Sequence, residues 1–265
     1  MKKLVSQRKL IEYRNVTVSK NSRIVLNGIN LVISLGEHAA ILGPNGAGKS
    51  FLIKTITREC YPFYDATNSY LRILGKENWN IFELRNQLGI VSSDLVNMHT
   101  RNVTGRQVIL SGFFSSVGIW AHDVVTPLME QKVQEVLKRL EISHLIERKM
   151  SELSTGEVRR ILIGRALVHD PKALLLDEPS ASLDFRAAHE LRELLGKIAN
   201  EGTSVIIVTH NLTDIIPVID RVILIKEGSI FLDGLKEKVL TSRSLNQLFS
   251  MPLKIIVEDG YYHML

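Results

Sequence analysis

An eight-residue loop between an apolar run and a helical pattern constrains this chain more than any other stretch. The loop consists of Gly43, Pro44, Asn45, Gly46, Ala47, Gly48, Lys49 and Ser50. The apolar run 39–42 before it is typical of a buried strand, and the residues after it are spaced to bury one face of a helix. Backbone N–H groups of a glycine-rich turn and of a helix N-terminus converge on one point and attract phosphate there. The sequence therefore predicts a nucleoside triphosphate site.

Each residue type in the loop has a predicted task. Glycines at 43, 46 and 48 permit positive φ angles and leave room for phosphate oxygens. We expect Lys49 to reach the β- and γ-phosphates, the Ser50 hydroxyl to bind Mg²⁺, and Phe51 to belong to the same nucleotide site. The alternative is a turn and helix cap without a ligand, but the flanking strand and helix favour the nucleotide.

Composition limits the remaining classes. With 265 residues, 45% of them hydrophobic, the chain can bury a full core as one large domain or as one domain with an inserted lobe. The longest apolar runs have strand length, so we expect no membrane span. Cys60 is the lone cysteine and no secretory signal is evident, so we expect a cytoplasmic protein. The net charge of +5 is scattered, which argues against direct nucleic-acid binding.

The order of patterns predicts an α/β protein with a largely parallel sheet. Alternating segments at 11–18 and 24–33 indicate an antiparallel pair of strands. A helical pattern from Asp94 to about His169 indicates an inserted lobe, with one helix capped by Thr126. Strands are predicted after the lobe at 173–176, 204–209 and 221–226, and a small hairpin at 254–264.

Two acids and a histidine follow predicted strands. Asp177 and Glu178 end the apolar run 174–176, and adjacent residues at a strand end point in different directions. We expect Asp177 to hold Mg²⁺, mostly through water, and Glu178 to be the general base for the attacking water. His210 closes another strand, where a neutral imidazole would contact the γ-phosphate or the water. The alternatives are that the acids cap a loop and that the histidine is structural.

A capping box is predicted at Ser154, with Glu157 three residues later and an apolar helix face after it. Gly156 lies beside the serine and adds flexibility. Such a helix end is also able to bind an anion. The pattern leaves two interpretations, a well-capped helix or a phosphate contact.

Together, these motifs resemble the ATP-binding cassette (ABC) ATPases. The matching motifs are Walker A at 43–50, the signature at 153–157, Walker B at 174–178, the D-loop at 182–184 and the switch histidine His210. The resemblance implies a P-loop NTPase fold, in which a mixed sheet core carries an antiparallel β subdomain and a helical signature lobe at about 95–165. The ATPase domain would then span 10–235, with a short extension at 236–265.

The resemblance further implies an ATPase that binds ATP and Mg²⁺ in a head-to-tail dimer. Ser154, Gly156 and Glu157 of one subunit would close over the ATP held by Lys49 of the other, which is a second copy or a paralogous cassette. Ser93 stands where the family usually has a glutamine that binds Mg²⁺, and its short side chain makes it a doubtful ligand. The family also stacks an aromatic ring on adenine near positions 19 and 20, where this chain has none.

Within the family, Gly36-Glu37-His38, the segment 111–118 and Thr155 resemble the group described as molybdenum-transport or photorepair-type ATPases. The expected function is to energise a separate membrane transporter subunit, with the ATPase attached to the cytoplasmic face. Exposed Phe113, Phe114 or Trp120 would support that docking. The alternative is a cytosolic ATPase that acts on a non-transport partner in repair or gene expression.

Overall fold

The computed structural model describes residues 8–63, 68–92, 102–116, 119 and 123–264. The strands are β1 (Lys9–Lys20), β2 (Arg23–Ser34), β3 (Ala39–Leu42), β4 (Tyr70–Ile73), β5 (Leu88–Val91), β6 (Ala173–Asp177), β7 (Ser204–Thr209), β8 (Arg221–Lys226), β9 (Ser229–Leu235), β10 (Ile255–Glu258) and β11 (Tyr261–Met264). The helices are α1 (Lys49–Ile56), α2 (Ile81–Gln87), α3 (Gly105–Leu110), α4 (Pro127–Leu140), α5 (Thr155–Leu167), α6 (Phe185–Asn200), α7 (Lys236–Val239) and α8 (Ser242–Phe249). No helix in these ranges is long and apolar enough to cross a membrane.

Two compact units divide the chain. One comprises Met1–Ile81 with Ser204–Leu265, and the other is Phe82–Thr203. The first unit is therefore interrupted in sequence by the second. The predicted signature lobe lies within the second unit, although its predicted limits and those of the ATPase domain stay predictions.

The first unit contains two larger sheets besides the C-terminal hairpin. In one, β1 pairs antiparallel with both β2 and β4, which confirms the predicted antiparallel pair and adds a third strand. In the other, β7, β3, β8 and β9 lie in that order, with β3 parallel to both of its neighbours and β9 antiparallel to β8. Every residue of β3 and β7 is buried, as expected for parallel strands covered on both faces.

The turn before β3 is held by contacts of residues 36–38. Gly36 N–H donates to Ser204 Oγ (2.8 Å), and the backbone N–H of Val205 donates to Nδ1 of His38 (3.2 Å). Glu37 forms an ion pair with Arg221 at the start of β8 (2.9 Å). These contacts connect the starts of β3, β7 and β8, so the stretch that resembles a subgroup marker has a structural role here.

We expect the His38 contact to make the stability of the protein depend on pH. Burial lowers the pKa of His38, and its Nδ1 must be unprotonated to accept from Val205. A histidine whose pKa is lowered on folding contributes stability above its unfolded pKa, about 6.5, and that contribution is lost as the pH falls below it. The partly exposed ring limits the effect to less than about 1 kcal/mol.

The His38→Asn variant tests this dependence, because an amide oxygen keeps an acceptor but does not titrate. We expect acidification from about pH 7.5 to about pH 5.5 to lower the melting temperature of the wild type more than that of the variant. Thermal unfolding followed by circular dichroism measures both slopes. Parallel slopes would show that His38 does not contribute.

The second unit combines a parallel strand pair with helices. β5 and β6 are parallel, with Leu88 opposite Ala173 and Val91 opposite Leu176. The predicted cap of α4 is confirmed, because Thr126 Oγ1 accepts from the N–H of Met129. The four predicted core positions of α4 are all buried: Val133, Val136, Leu137 and Leu140.

The C-terminal segment returns to the first unit and ends in the predicted hairpin, β10 and β11. Its anchor is Lys236, whose Nζ donates to the carbonyl oxygen of Pro217 (2.9 Å) and lies 5.9 Å from the ring of the buried Tyr262. Strand β9 and helices α7 and α8 were not predicted. For α8 the signal was present, since Thr241 caps it and Leu245 and Leu248 are buried three residues apart.

Candidate functional site

The predicted phosphate loop connects β3 to α1 in the first unit. Leu42, the last residue of β3, is paired with Thr209 of β7 and with Leu224 of β8. The carboxyl ends of three parallel strands therefore meet where the loop begins, which is where α/β folds bind ligands. Gly48 is the N-cap of α1 and has no side chain to satisfy the first N–H groups of the helix. The loop thus presents the backbone donors that phosphate requires.

The glycines of the loop serve two different needs. Gly46 and Gly48 have φ angles of 80° and 105°, as predicted. The prediction of a positive φ is wrong for Gly43, which is glycine because of space: a Cβ there would lie 2.4 Å from the carbonyl oxygen of Ile225. A Cβ on Gly48 would also be crowded, 2.8 Å from the carbonyl oxygen of Val25. Both β8 and β2 therefore pack against the loop backbone.

The Lys49 side chain is folded into the loop. It is 6% exposed, and its Nζ donates to the carbonyl oxygens of Gly43 (2.7 Å) and Pro44 (3.2 Å). A positive charge is thereby concentrated close to the N-terminus of α1, whose N–H groups carry partial positive charge. Ser50 is exposed and Phe51 is half-buried, so both are accessible beside that charge.

His210 lies next to the loop in the same unit. It follows Thr209 directly, and Gly43 N–H donates to the Thr209 carbonyl oxygen (3.3 Å). The Thr209 hydroxyl donates to Oδ2 of the buried Asp214 (2.6 Å), and this bond holds the turn that presents the exposed His210. Sequence analysis missed Asp214. Its signal was an acid four residues after the histidine, directly before the apolar pair Ile215 and Ile216.

The sequence has no aromatic residue at positions 19 and 20, and neither Tyr13 nor Phe51 is placed as a simple replacement. Tyr13 is buried in β1, and its hydroxyl donates to the carbonyl oxygen of Leu52 in α1 (3.0 Å). Its ring therefore belongs to the core. At the end of β1, the Nζ of Lys20 lies 5.5 Å from the centroid of the Phe51 ring. Lys20 is one of the two positions near which the resemblance leads us to expect an aromatic ring.

The two predicted catalytic acids lie in the second unit and have different environments. Asp177 ends β6 and is 9% exposed. Glu178 is half-buried and has a φ of 48°, so the chain turns sharply after the strand. The two carboxylates therefore differ in burial, and the prediction that they point in different directions stays a prediction. Nη2 of the buried Arg159, in α5, lies 3.4 Å from the Glu178 carbonyl oxygen, a contact that sequence analysis did not anticipate.

The predicted capping box at the start of α5 is confirmed. Ser154 N–H and Oγ both donate to Oε2 of Glu157 (2.7 and 2.9 Å), while Glu157 N–H donates back to Ser154 Oγ (3.3 Å). The hydrogen bond from the Ser154 backbone is the main cause that holds the pKa of Glu157 below its ordinary value. Glu157 is therefore ionised near neutral pH, and the exposed Ser154 lies beside a carboxylate.

Gly156 allows a close approach between the signature turn and α6. A Cβ at this position would lie 2.9 Å from Cβ of Ala187, in the first turn of α6. Asp184 caps that helix by accepting from the N–H of Ala187 (2.8 Å). A cavity of about 170 Å³ opens beside these residues, with Arg160 and Glu190 among those that line it. The signature and D-loop segments are thus packed together in one unit.

The predicted docking region is described only in part. Ser93, Asp94 and Trp120 lie outside the residues that the structure describes. Phe113 and Phe114 are half-buried, and the Phe113 ring contacts His169 edge to face with centroids 5.1 Å apart. Neither ring is fully removed from the surface.

Comparison with known proteins decides the family. The sequence profile described as "ABC transporter" matches residues 26–181, more than half of the chain. The chain belongs to the ABC transporter family. This ABC protein is an ATP-binding subunit of an ABC transport system and an ATPase, and the alternative of a non-transport ATPase is not supported.

Two relatives and one solved structure show how far the similarity extends. The uncharacterized ABC transporter ATP-binding protein YlmA of Bacillus subtilis (strain 168) is 31% identical over 254 residues, which cover 93% of each chain. The hemin import ATP-binding protein HmuV of Aliivibrio fischeri (strain ATCC 700601 / ES114) is 34% identical over 245 residues, 90% of each chain. A dimeric post-hydrolysis structure of the ATP-binding cassette MJ0796, bound to ADP and Pi, matches with a TM-score of 0.67 and 25% identity. That match covers 85% of this chain and 98% of the other.

Proposed function

We propose that this ABC ATPase binds MgATP at the loop 43–50 and hydrolyses it in a head-to-tail dimer, thereby driving a separate membrane-spanning transporter subunit. The observation that supports this most directly is Lys49, buried in the loop with its ammonium on the carbonyl oxygens of Gly43 and Pro44. A buried cation beside free helix N–H groups is a site prepared for a polyanion.

The loop fits a triphosphate because its glycines leave no side chain between the backbone donors and a ligand. Lys49 would bind the β- and γ-phosphate oxygens, with backbone N–H groups of the loop and of the helix start around them. The Ser50 hydroxyl and the Asp177 carboxylate are oxygen ligands of the kind Mg²⁺ prefers. When bound, Mg²⁺ neutralises charge between the β- and γ-phosphates. Ser93 is the third predicted ligand, and its side chain is shorter than the glutamine that the family usually has there.

Glu178 would act as the general base. Its carboxylate accepts a proton from the attacking water while the water oxygen bonds to the γ-phosphorus and the bond from that phosphorus to the bridging oxygen breaks. ADP leaves with the bridging oxygen. His210, presented by the Thr209–Asp214 hydrogen bond, would donate to a γ-phosphate oxygen or hold the water.

The dimer supplies the remaining contacts. Ser154, Gly156 and Glu157 of one subunit would close over the triphosphate that Lys49 of the other subunit binds. The capping box keeps this helix start ordered, and the crowding of Gly156 by Ala187 explains why no larger residue is present there. The partner would be a second copy or a paralogous cassette.

The membrane subunit would dock near the half-buried Phe113 and Phe114, on the cytoplasmic face. The relative HmuV is named for hemin import, which supports an import partner without identifying the cargo. Assignment to the molybdenum-transport or photorepair-type group rests on the stretches 36–38 and 111–118 and on Thr155. Residues 36–38 have structural contacts that account for their identity, so they do not indicate which cargo is transported.

Co-purification tests the transport role. Tagged Glu178→Gln protein, isolated from its native cells with ATP in mild detergent, should retain an integral membrane protein in stoichiometric amount. Phe114→Ala should lose that partner, whereas Phe231→Ala, an exposed phenylalanine on β9, should keep it. A soluble partner, or recovery of the ATPase alone, would contradict the transport proposal.

A further inference from the structure

The signature turn has a charge that its proposed function must overcome. The Ser154 hydroxyl carries one proton, and that proton is donated to Oε2 of Glu157 at 2.9 Å. In the proposed dimer the same hydroxyl must donate to a triphosphate. The ionised carboxylate therefore competes with phosphate for the proton, and it also repels the phosphate.

Arg148 contacts the other oxygen of that carboxylate. Its Nη1 lies 3.3 Å from Oε1 of Glu157, so the guanidinium and Ser154 bind opposite oxygens of one carboxylate. The Arg148 and His144 charges also contribute to the low pKa of Glu157, although less than the Ser154 hydrogen bonds do. Arg148 thus draws electron density away from the oxygen that faces Ser154.

The backbone around Arg148 is fixed independently of this ion pair. Arg148 N–H donates to the carbonyl oxygen of Leu145 (3.1 Å), and its own carbonyl oxygen accepts from Gly105 N–H at the start of α3 (3.0 Å). Its Nη2 donates to the carbonyl oxygen of Glu152 (2.6 Å). The guanidinium is therefore presented to Glu157 by the rest of the unit.

We propose that Arg148 is a positioning residue for ATP hydrolysis, because it neutralises the Glu157 carboxylate so that Ser154 is free to bind the triphosphate held by the partner subunit. This inference rests on the proposed function of the signature turn. Arg148 itself touches neither ATP nor water. Its effect should appear when the dimer closes and not when one subunit binds ATP.

A competing role is purely structural, through the bond from Arg148 to the Glu152 carbonyl oxygen. The two roles differ in what restores function. If repulsion by Glu157 is the problem in an Arg148 variant, replacing Glu157 by the neutral isostere glutamine should remove it. If the Glu152 contact is the essential one, that second substitution should change nothing.

The experiment measures ATP-dependent dimerisation by analytical ultracentrifugation in the Glu178→Gln background, with turnover measured in the parent. Arg148→Met keeps the aliphatic stem and removes the charge. We expect it to weaken dimerisation by about tenfold at low salt and less at high salt, where the repulsion is screened. We expect Arg148→Met/Glu157→Gln to recover most of the loss. Arg139 lies on α4 and forms an ion pair with Glu201, the residue that follows α6; Arg139→Met breaks that pair, is the matched control and should have no effect.

Three results would contradict the role of Arg148 without contradicting the proposed function. Failure of Glu157→Gln to rescue, a defect that does not depend on salt, or weaker ATP binding to the isolated subunit would overturn the role of Arg148 alone. Ser154→Ala distinguishes this from failure of the proposed function. Full dimerisation and turnover in Ser154→Ala would contradict the proposed contact between Ser154 and the triphosphate. The role of Arg148 would then be contradicted as well.

Discussion

Glu178→Gln is expected to reduce ATP turnover by roughly two to four orders of magnitude while ATP binding is retained. Glutamine has the same size as glutamate but cannot accept the proton of the attacking water. The φ of 48° at this residue should be tolerated equally by the two side chains, so the turn after β6 is preserved. Steady-state phosphate release measures turnover, and equilibrium titration with ATP measures binding.

The matched control for this variant is Glu193→Gln, an exposed glutamate on α6 of the same unit. It should leave turnover unchanged. Because hydrolysis opens the proposed dimer, Glu178→Gln should also remain dimeric in ATP, as gel filtration would show. Turnover within a few-fold of the wild type would mean that another group is the base, and the assignment of Asp177 would need to be revised with it.

Lys49→Ala is expected to weaken the binding of ATP, the step that precedes hydrolysis. The Lys49 ammonium is expected to exchange its two carbonyl contacts for charge-assisted hydrogen bonds to phosphate oxygens, each worth about 1.5–3 kcal/mol. Because the carbonyl contacts given up offset part of this gain, we expect a net loss of about 1.5–3 kcal/mol in Lys49→Ala, which weakens ATP binding by roughly 10- to 160-fold. Calorimetric titration of ATP measures the change. Turnover at saturating ATP should also fall, because the lysine binds the phosphate that is transferred.

Lys54→Ala is the control for charge and for helix α1. Lys54 lies in the last turn of the same helix, away from the loop. It should keep wild-type affinity for ATP, and both variants should keep their circular dichroism spectra. Normal ATP affinity in Lys49→Ala would contradict the proposed binding mode at the loop.

Local signals were read correctly from the sequence. The capping box at Ser154 and the cap at Thr126 involve atoms three residues apart, so their hydrogen bonds depend little on the rest of the chain. The positive φ at Gly46 and Gly48, and the hairpin at the C-terminus, are local in the same way. Helix α8 was missed although its cap and apolar spacing were present, because it is short and lies between polar residues.

Features that join distant parts of the chain were not predictable. Arg159 has the sequence context of an ordinary charged residue, and only the fold buries it beside the Glu178 carbonyl oxygen. Arg159 lies beside Arg160 and two residues after Glu157, so the local pattern gives no sign that it is buried or which group it contacts. Such partners are selected by strand order and helix packing.

The sequence by itself determined that this protein binds a nucleotide, since the loop, the acids after a strand and the signature turn are each encoded within a few residues. Only the tertiary structure decided why Gly43 must be glycine, because the carbonyl oxygen of Ile225 comes from a strand nearly two hundred residues later in the sequence. The tertiary structure also decided that the Arg148 guanidinium contacts the Glu157 carboxylate, nine residues later in the sequence. Hydrogen bonds within a turn follow from local conformation, whereas steric limits and charge pairing across the fold exist only when separate segments are brought together.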